Sequence, residues 1–484
     1  MRRLALLAIM ATVWLAGCID LAPTYRRPAQ PTPATFPTGP AYPPAPNEAQ
    51  PIVGWRDFFS DPKLKAVIER ALAENRDLRV AVANIAAARA QYHVQRAALF
   101  PTINANASAT LGQEPASVAT GGAIPSVSGT VDEHVYSLTA GTSAYELDLF
   151  GRVRDLTRAQ QQRYFATQQA RDAAQIALVS EVAADYLTLG ADRALLGIAE
   201  DTLNSATQSL AVTQQRFNSG VDSGLDVSQA QTLVQQARLD VARQTTQVAQ
   251  DRNALELVVG APVEDALLPA GADAPIVVLD RLPAAVSSSV LLERPDVLEA
   301  EDQLRAANAN IGAARAAFFP QIELTGSGGL TSLALSALFE GASGTWAFAP
   351  QISQTLFDAG ANRGNLELAK AQRDASVATY EKTVQTAFRE VADALAQRGT
   401  IDEQLAAQRA LVAAAGDALR LSTARYERGS DTYLNVLIAQ RTYYAARQTL
   451  VAGEQTKSAN LVTLYTVLGG GLNAPQSRSD QTPG

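Results

Sequence analysis

Two stretches of the chain carry an apolar residue at every seventh position over an unusual length. The two series are Val182, Leu189, Leu196, Leu203, Leu210 and Phe217, and Val377, Val384, Val391, Leu405, Val412, Leu419 and Tyr426. Only Arg398 interrupts the second series. A sustained seven-residue repeat is typical of coiled-coil packing. No proline occurs from Arg152 to Phe217 or from Ala361 to Tyr426, so each stretch predicts one helix about 100 Å long at a rise of about 1.5 Å per residue.

Each long helix is followed by a short glycine-containing turn, Asn218 to Gly224 or Glu427 to Tyr433. The helical pattern then continues for about half the length of the long helix, which predicts a hairpin that returns only halfway. The remaining half of each long helix needs another partner. We expect the segments Asp61 to Ala98 and Arg294 to Ala317 to be helices that stack end to end with the returning ones.

Segments of a different composition separate these helical regions. They contain small, polar and β-branched residues that alternate in hydrophobicity. The four segments run from Thr102 to Gly112, Val135 to Leu149, Gln321 to Thr331 and Thr345 to Leu356. Trp346 and Phe348 fall on one side of the last segment. About ten alternating residues are the weak signature of a transmembrane β-strand. Open sheet edges are not tolerated in lipid, and four strands cannot close a barrel by themselves. The pattern therefore predicts a barrel shared among several chains. The loops Gln113 to Glu133 and Ser332 to Gly344 would join each hairpin outside the cell. Two soluble hairpins that cap a coiled coil are the alternative.

The chain contains an internal duplication. Residues 96–103, Arg-Ala-Ala-Leu-Phe-Pro-Thr-Ile, return as residues 315–322, Arg-Ala-Ala-Phe-Phe-Pro-Gln-Ile. Further pairs keep one spacing of 209 residues without gaps: Gly151 with Gly360, Glu181-Val182 with Glu390-Val391, Arg216 with Arg425, Gly220 with Gly429, Val227 with Val436, and Gly260 with Gly469. Matching Phe-Pro stops and glycine turns in one order predict two structural repeats, at residues 52–292 and 293–472, followed by a flexible tail at 473–484.

The N-terminus has the pattern of an export signal. Arg2 and Arg3 precede an apolar run of roughly 12 residues, too short to span a membrane, which takes about 20. We therefore expect residues 1–17 to be removed as a signal peptide. The small residues before Cys18 resemble the bacterial lipobox, in which the cysteine is lipidated, and Ile19 rather than aspartate follows, which favours outer-membrane sorting. The alternative is an ordinary secreted protein with a stray cysteine. Residues 18–51 are rich in proline and predict an extended, lipidated tether.

Composition narrows the possible chemistry. The net charge of -8 argues against nucleic acid as the main partner. Cys18 is the only cysteine, which excludes a disulfide within one chain and a cysteine metal cluster. The two histidines, His93 and His134, fall on different predicted elements, and neither a Gly-x-Ser-x-Gly elbow nor a phosphate-binding glycine loop occurs. We therefore expect the protein not to be an enzyme and to bind no metal. We also expect no cofactor apart from a covalent N-palmitoyl and S-diacylglycerol lipid on Cys18.

Several motifs carry a family resemblance. They are Gly17-Cys18 with residues 23–28 (Pro-Thr-Tyr-Arg-Arg-Pro), the Trp55 to Pro62 segment, Leu99-Phe100-Pro101, Asp148-Leu149-Phe150-Gly151, Glu293-Arg294-Pro295-Asp296 and, most specifically, Ala306 to Pro320. Together they resemble the TolC-like outer-membrane factors of bacterial multidrug efflux pumps, in the lipoprotein branch (OprM/NodT-like). The resemblance covers nearly the whole mature chain.

The resemblance implies a mainly α fold with a membrane β-barrel. A homotrimer would form a twelve-stranded barrel, four strands per protomer, continuous with a coiled-coil tunnel. Val258 to Leu292, the chain from Gly469 onward and the region near Trp55 would form an equatorial girdle. The implied function is a passive exit channel for drugs or other small molecules, lipid-anchored in the outer membrane of a Gram-negative bacterium. A periplasmic membrane-fusion adaptor and an inner-membrane RND-type pump would be its partners. A type I protein-secretion duct and a lipid-anchored coiled-coil scaffold without a pore are the alternatives.

The resemblance also assigns roles at the two helix–turn–helix tips. Adaptor docking would use Gly220, Val221, Gly429 and Ser430, and the periplasmic gate would use Tyr426, Asp226, Arg441, Asn435 and Ile438. Each gate residue has a plainer interpretation: heptad packing for Tyr426, an N-cap for Asp226, and a solvated charge for Arg441. Relatives often carry constricting aspartates where this chain has Asn435 and Ile438. Three copies would present a neutral ring there, so we expect neither strong cation selectivity nor acid-triggered gating at that level.

Overall fold

The computed structural model describes residues 20–42, 54–115, 130–271 and 287–471. These residues form two compact units. The described part of the first contains residues 20–28, 86–115, 130–166 and 301–379, and that of the second contains residues 29–42, 54–85, 167–271, 287–300 and 380–471.

Most of the described chain is helical. The helices are α1 (Trp55–Phe58), α2 (Pro62–Glu74), α3 (Arg76–Ala97), α4 (Arg152–Asn218), α5 (Gly224–Val259), α6 (Pro295–Ala316), α7 (Ala361–Glu427) and α8 (Tyr433–Val467). Within the described ranges, none of them combines the length and apolar character that a membrane span requires.

The two predicted long helices are confirmed. α4 and α7 each contain 67 residues, and the hairpins return through α5 and α8, of 36 and 35 residues. α7 begins 209 residues after α4, and α8 begins 209 residues after α5, so the duplication seen in the sequence is a duplication of structure. Heptad positions such as Val182, Leu189, Val384 and Val391 are buried, as coiled-coil packing requires.

The predicted helix from Asp61 to Ala98 is instead two helices, because Asn75 interrupts it. The Asn75 carboxamide oxygen accepts a hydrogen bond from the Leu78 backbone N–H at 2.7 Å and so caps the start of α3. Its amide nitrogen donates to the Val258 carbonyl at 2.7 Å, at the end of α5. Asn75 therefore lies between α2 and α3, caps the start of α3 and binds the end of α5.

The four predicted strands form one antiparallel sheet in the order β1 (Asn104–Pro115), β2 (Thr130–Glu146), β3 (Gln321–Ser332) and β4 (Gly344–Ser353). β2 and β3, from different repeats, pair in the middle. The register places Leu138 opposite Leu330, and Trp346 and Phe348 opposite glycines of β3 on the same face. That face is apolar, and Leu138, Trp346 and Phe348 are solvent-exposed. The other face is polar, with the Ser108 and Ser137 hydroxyls 2.7 Å apart.

One large hydrophobic core lies in the second unit. Phe58 and Phe59 pack on Tyr465 near the end of α8, with ring centroids 4.7 and 6.0 Å apart. Val263 and Leu268, after α5, join the same cluster. The region near Trp55 and the chain beyond α5, two of the three segments predicted to form a girdle, thus share this core with the end of α8. Residues 272–286 of that region lie outside the described residues, as do the tail at 473–484 and the loop at 116–129.

Residues 20–42, which belong to the segment predicted as an extended tether, are described by the structure, and we name them the N-terminal strap. In the first unit, Arg27 forms an ion pair with Glu301 at 2.6 Å, and Asn308 donates to the Pro23 carbonyl at 2.7 Å. In the second unit, the Phe36 ring stacks on Phe388 with centroids 5.0 Å apart. The proline-rich segment lacks regular structure, but its side chains dock on helices. Residues 1–19, which include Cys18, and residues 43–53 lie outside the described residues.

Candidate functional site

The two helical hairpins end in matching turns, which are the predicted docking tips. Gly220 and Gly429 adopt φ values of +74° and +75°, a left-handed conformation that glycine tolerates best. The N–H of Val221 donates to the Arg216 carbonyl at 2.9 Å, and that of Ser430 donates to the Arg425 carbonyl at 3.0 Å. This is the Schellman pattern, which satisfies the last carbonyls of a helix. Space is open beside both glycines, so both turns present backbone at the surface.

A network of side chains centred on Tyr426, Asp222 and Arg216 joins the first turn to the end of α7. The hydroxyl of Tyr426, on α7, donates to the carboxylate of Asp222, in the first turn, and lies 3.1 Å from the Thr213 hydroxyl. Arg216 pairs with the same carboxylate at 3.1 Å and places its guanidinium 4.7 Å from the centre of the Tyr426 ring. One carboxylate thus binds a phenol and a guanidinium, and the guanidinium lies against the phenol ring, a favourable cation–π arrangement.

The electrostatics keep Tyr426 a hydrogen-bond donor. Burial and the hydrogen bond to Asp222 raise the pKa of Tyr426 to about 12. The phenol therefore stays protonated at any physiological pH. A second tyrosine, Tyr433 at the start of α8, packs against Tyr426 with ring centroids 5.5 Å apart, and its hydroxyl lies 3.3 Å from that of Ser209. The α7–α8 tip is held to α4 through tyrosines on both of its helices.

Asp226, predicted as a gate residue, occupies a capping box rather than the tyrosine network. The Ser223 hydroxyl accepts a hydrogen bond from the Asp226 N–H, and the Asp226 carboxylate accepts one from the Ser223 N–H at 3.0 Å. Asp226 is therefore at position N3 of the capping box, and Ser223 rather than Asp226 is the N-cap. Sequence reasoning missed Asp222, although a signal was present: aspartate follows arginine by six residues at Arg216–Asp222 and again, 209 residues later, at Arg425–Asp431.

The second tip has its own carboxylate. Asp431 accepts a hydrogen bond from the Asn435 amide at 2.6 Å and one from the Thr432 N–H at 2.8 Å, and it pairs with Arg425 at 3.1 Å. The Asn435 amide and then the Thr432 N–H are the largest causes that hold the pKa of Asp431 below its ordinary value. An ionised carboxylate therefore lies beside the neutral carboxamide of Asn435.

The remaining predicted gate residues are on the exposed side of α8. Ile438 is exposed. Arg441 is also exposed, as expected of a solvated charge. The gate and docking roles of all these residues stay predictions. Among the described residues, no group of His, Cys, Asp or Glu side chains could hold a metal ion.

Two long helical hairpins and one four-stranded antiparallel sheet make this the fold of an outer-membrane channel protein. The family model described as "Outer membrane efflux protein" matches residues 67–261 and 286–470. The chain belongs to this family, and it is an outer-membrane efflux protein with a large periplasmic part.

Known proteins resemble the chain over almost its full length. The antibiotic efflux pump outer membrane protein ArpC of Pseudomonas putida is 45% identical over 99% of both chains. A crystal structure of a membrane protein from Pseudomonas aeruginosa is 41% identical, with a TM-score of 0.86 over 95% of this chain and 99% of that one. The open state of the MtrE outer membrane channel of Neisseria gonorrhoeae is 37% identical, with a TM-score of 0.79 over 94% and 98% of the two chains.

Proposed function

We propose that three copies of this chain form the exit channel of a tripartite efflux system. A periplasmic membrane-fusion adaptor and an inner-membrane RND-type pump would deliver drugs or other small molecules, which would pass through the channel without catalysis. The single observation that carries the trimer is the sheet of β1 to β4, which has an exposed apolar face and, among the described residues, no strand paired with the outer edge of β1 or of β4. Lipid leaves no partner for an open edge. Strands of neighbouring copies would pair with these edges and close a twelve-stranded barrel.

The efflux assignment is supported by the functions for which two relatives are named. One is an antibiotic efflux pump outer membrane protein, and another, also from Pseudomonas putida and 45% identical, is a toluene efflux pump outer membrane protein. The substrates would therefore be small apolar or amphipathic compounds, selected upstream by the pump.

We propose that Cys18 anchors the protein to the outer membrane through an N-palmitoyl group and an S-diacylglycerol group. Cys18→Ser should abolish the incorporation of labelled palmitate, because the chain has no other cysteine. Persistent labelling would contradict the anchor.

The periplasmic end would be closed by the network of Tyr426, Asp222 and Arg216, which ties the α7–α8 tip to α4. Opening would require the Tyr426–Asp222 hydrogen bond to break. A hydrogen bond to a charged group contributes about 1.5 to 3 kcal/mol, which is enough to shift a two-state gate by roughly tenfold or more. Gly220, Val221, Gly429 and Ser430 lie at the turns, where an adaptor would meet the channel.

The test is planar-bilayer conductance of the purified, detergent-solubilised protein, with its oligomeric mass measured in parallel. Wild-type trimers should conduct weakly, and Tyr426→Phe trimers should open roughly tenfold more often. Tyr444→Phe is the matched control, because its hydroxyl lies 3.4 Å from Asp240, farther along α8 from the tip. A monomeric mass would refute the proposed channel. Trimers that conduct neither as wild type nor as Tyr426→Phe would refute it as well.

A further inference from the structure

The two tips of one chain are equivalent in sequence but not in their surroundings. At the spacing of 209 residues, Phe217 corresponds to Tyr426 and Asp222 to Asp431. Each aspartate pairs at 3.1 Å with the arginine six residues before it. The spacing also matches the Thr213 hydroxyl with that of Ser422. Both tips therefore contain the same arginine–aspartate ion pair, which we call the receptor. Both also carry an aromatic side chain at the same position near the end of a long helix.

The first receptor is more deeply covered within one chain than the second, and the difference is largest at the arginine. The side chains of Arg216 and Asp222 are 20% and 7% exposed, because the Tyr426 ring lies over them. Those of Arg425 and Asp431 are 63% and 17% exposed. The ring positions differ in the same sense: Tyr426 is 4% exposed, whereas Phe217 is 43% exposed. One chain thus leaves the Arg425 side of the second receptor and the Phe217 ring exposed, and these are the equivalents of a pair that it has already joined.

We propose that Phe217 of one copy packs on the Arg425–Asp431 pair of the next copy, repeating between copies the contact that Tyr426 makes within one. The inference rests on the proposed trimer. A ring on one surface and a receptor on another make a head-to-tail contact, which closes into a ring of copies when the rotation fits. Around the trimer, six such contacts would alternate between tyrosine contacts within chains and phenylalanine contacts between them.

The two kinds of contact differ by one hydroxyl group. Tyr426 stacks on Arg216 and also donates to Asp222, whereas Phe217 offers its ring to Arg425 but no hydrogen bond to Asp431. The cation–π contribution is shared by both contacts. The charge-assisted hydrogen bond, the stronger component, is present only within a chain. The phenylalanine contacts between copies are therefore weaker than the tyrosine contacts within each chain, and they should separate more readily.

Cysteine crosslinking tests the contact directly. Phe217→Cys with Asp431→Cys, treated with a short bifunctional maleimide, should give covalent dimers and trimers. Tyr426→Cys with Asp222→Cys, the equivalent pair within a chain, should give only internally crosslinked monomers. Unmodified protein, whose single cysteine is Cys18, is the background control. Monomeric products from the first pair in a sample with trimeric native mass would overturn the contact and leave the channel standing, whereas a monomeric native mass would count against the channel itself.

A gain of function gives an independent test. Phe217→Tyr supplies the missing hydroxyl opposite Asp431 and Ser422, so it should lower the open fraction of the channel by roughly tenfold. Adding Asp431→Asn to that variant should remove most of the effect, because the acceptor loses its charge. Unchanged conductance in Phe217→Tyr trimers, or an equal effect with and without the Asp431 carboxylate, would overturn the proposal.

Discussion

Glu301, on α6, is 2% exposed and binds Arg27, on the N-terminal strap, at 2.6 Å. Arg305 pairs with the same carboxylate at 2.6 Å, and the Tyr25 hydroxyl donates to it at 3.0 Å. Burial alone would raise the pKa of Glu301, but the Arg27 hydrogen bond and the Arg305 charge outweigh it and lower that pKa. The carboxylate is thus a buried anchor that holds a segment far away in sequence.

Replacing Glu301 should release the strap. Glu301→Ala removes the buried carboxylate that Arg27, Arg305 and Tyr25 share, so we expect a loss of about 2 to 4 kcal/mol in the free energy of unfolding. Trypsin should also cleave the strap more readily after Arg26, since Pro28 blocks cleavage after Arg27. Glu367→Ala, which removes an exposed pair with Arg363, should cost at most about 0.5 kcal/mol. Equal effects of the two substitutions would show that the strap is not held through Glu301.

Gly312 on α6 provides a second test of the strap, through packing rather than charge. A Cβ atom at this position would lie 2.0 Å from the Asp155 carboxylate and 2.8 Å from the Ala22 backbone. Gly312→Ala should therefore destabilise the folded chain by about 1 to 3 kcal/mol. Gly364→Ala is the matched control: no atom lies within 4 Å of its Cβ position, and alanine in a helix is more stable than glycine by about 0.5 to 1 kcal/mol. Thermal unfolding of both variants should give shifts of opposite sign.

Asp192 should make stability depend on pH. Burial and the nearby Asp251 carboxylate raise the pKa of Asp192 to about 7. The folded chain thus holds a proton that the unfolded chain releases near pH 4, so stability falls as pH rises from about 4 to 7. Asp192→Asn should stabilise the protein by about 1 to 2 kcal/mol at pH 8, a figure discounted for solvent screening, and have little effect at pH 4. Denaturant unfolding at both values checks this. Asp417→Asn, at an exposed pair, should show no such difference, and a pH-independent effect of Asp192→Asn would contradict the assignment.

Ile438 allows the expected lack of cation selectivity to be tested. Ile438→Asp would place one exposed carboxylate on each α8, three in the proposed trimer, and should make the channel prefer cations. Mutual repulsion should raise the pKa of these carboxyl groups, so the preference should fade as pH is lowered. The readout is the reversal potential in a salt gradient. Ile438→Asn controls for polarity without charge. A wild-type channel that already prefers cations strongly would show that another carboxylate, such as Asp431, sets selectivity.

The long helices and their turns could be predicted because each signal is local and repeated. Proline-free heptads fix the lengths of α4 and α7, and the spacing between Gly220 and Gly429 aligns the two hairpins. The alternation around Trp346 likewise predicted β4 and its exposed apolar side. These features depend on backbone preference and side-chain period, which the sequence displays directly.

The contacts that matter for function could not be predicted in the same way. Glu301 and its partner Arg27 are 274 residues apart, and nothing in the proline-rich composition of the strap indicates docking. Asp226 and Asp222 are equally plausible partners for Tyr426 by sequence, and only the folded turn separates a capping residue from a ligand of the phenol. Asn75 resembles any polar residue of a helix until the Val258 carbonyl is placed beside it.

The unpaired edges of the sheet affect the protein before it reaches its final state. β1 and β4 each expose a row of peptide groups, and such edges pair readily with any available strand. A newly exported chain therefore has two edge strands that can pair with other proteins until further copies of the chain cover them. Its yield should depend on how quickly like chains meet, so maturation should depend steeply on expression level, and a shortage of copies should do more harm than a modest loss of stability in each one.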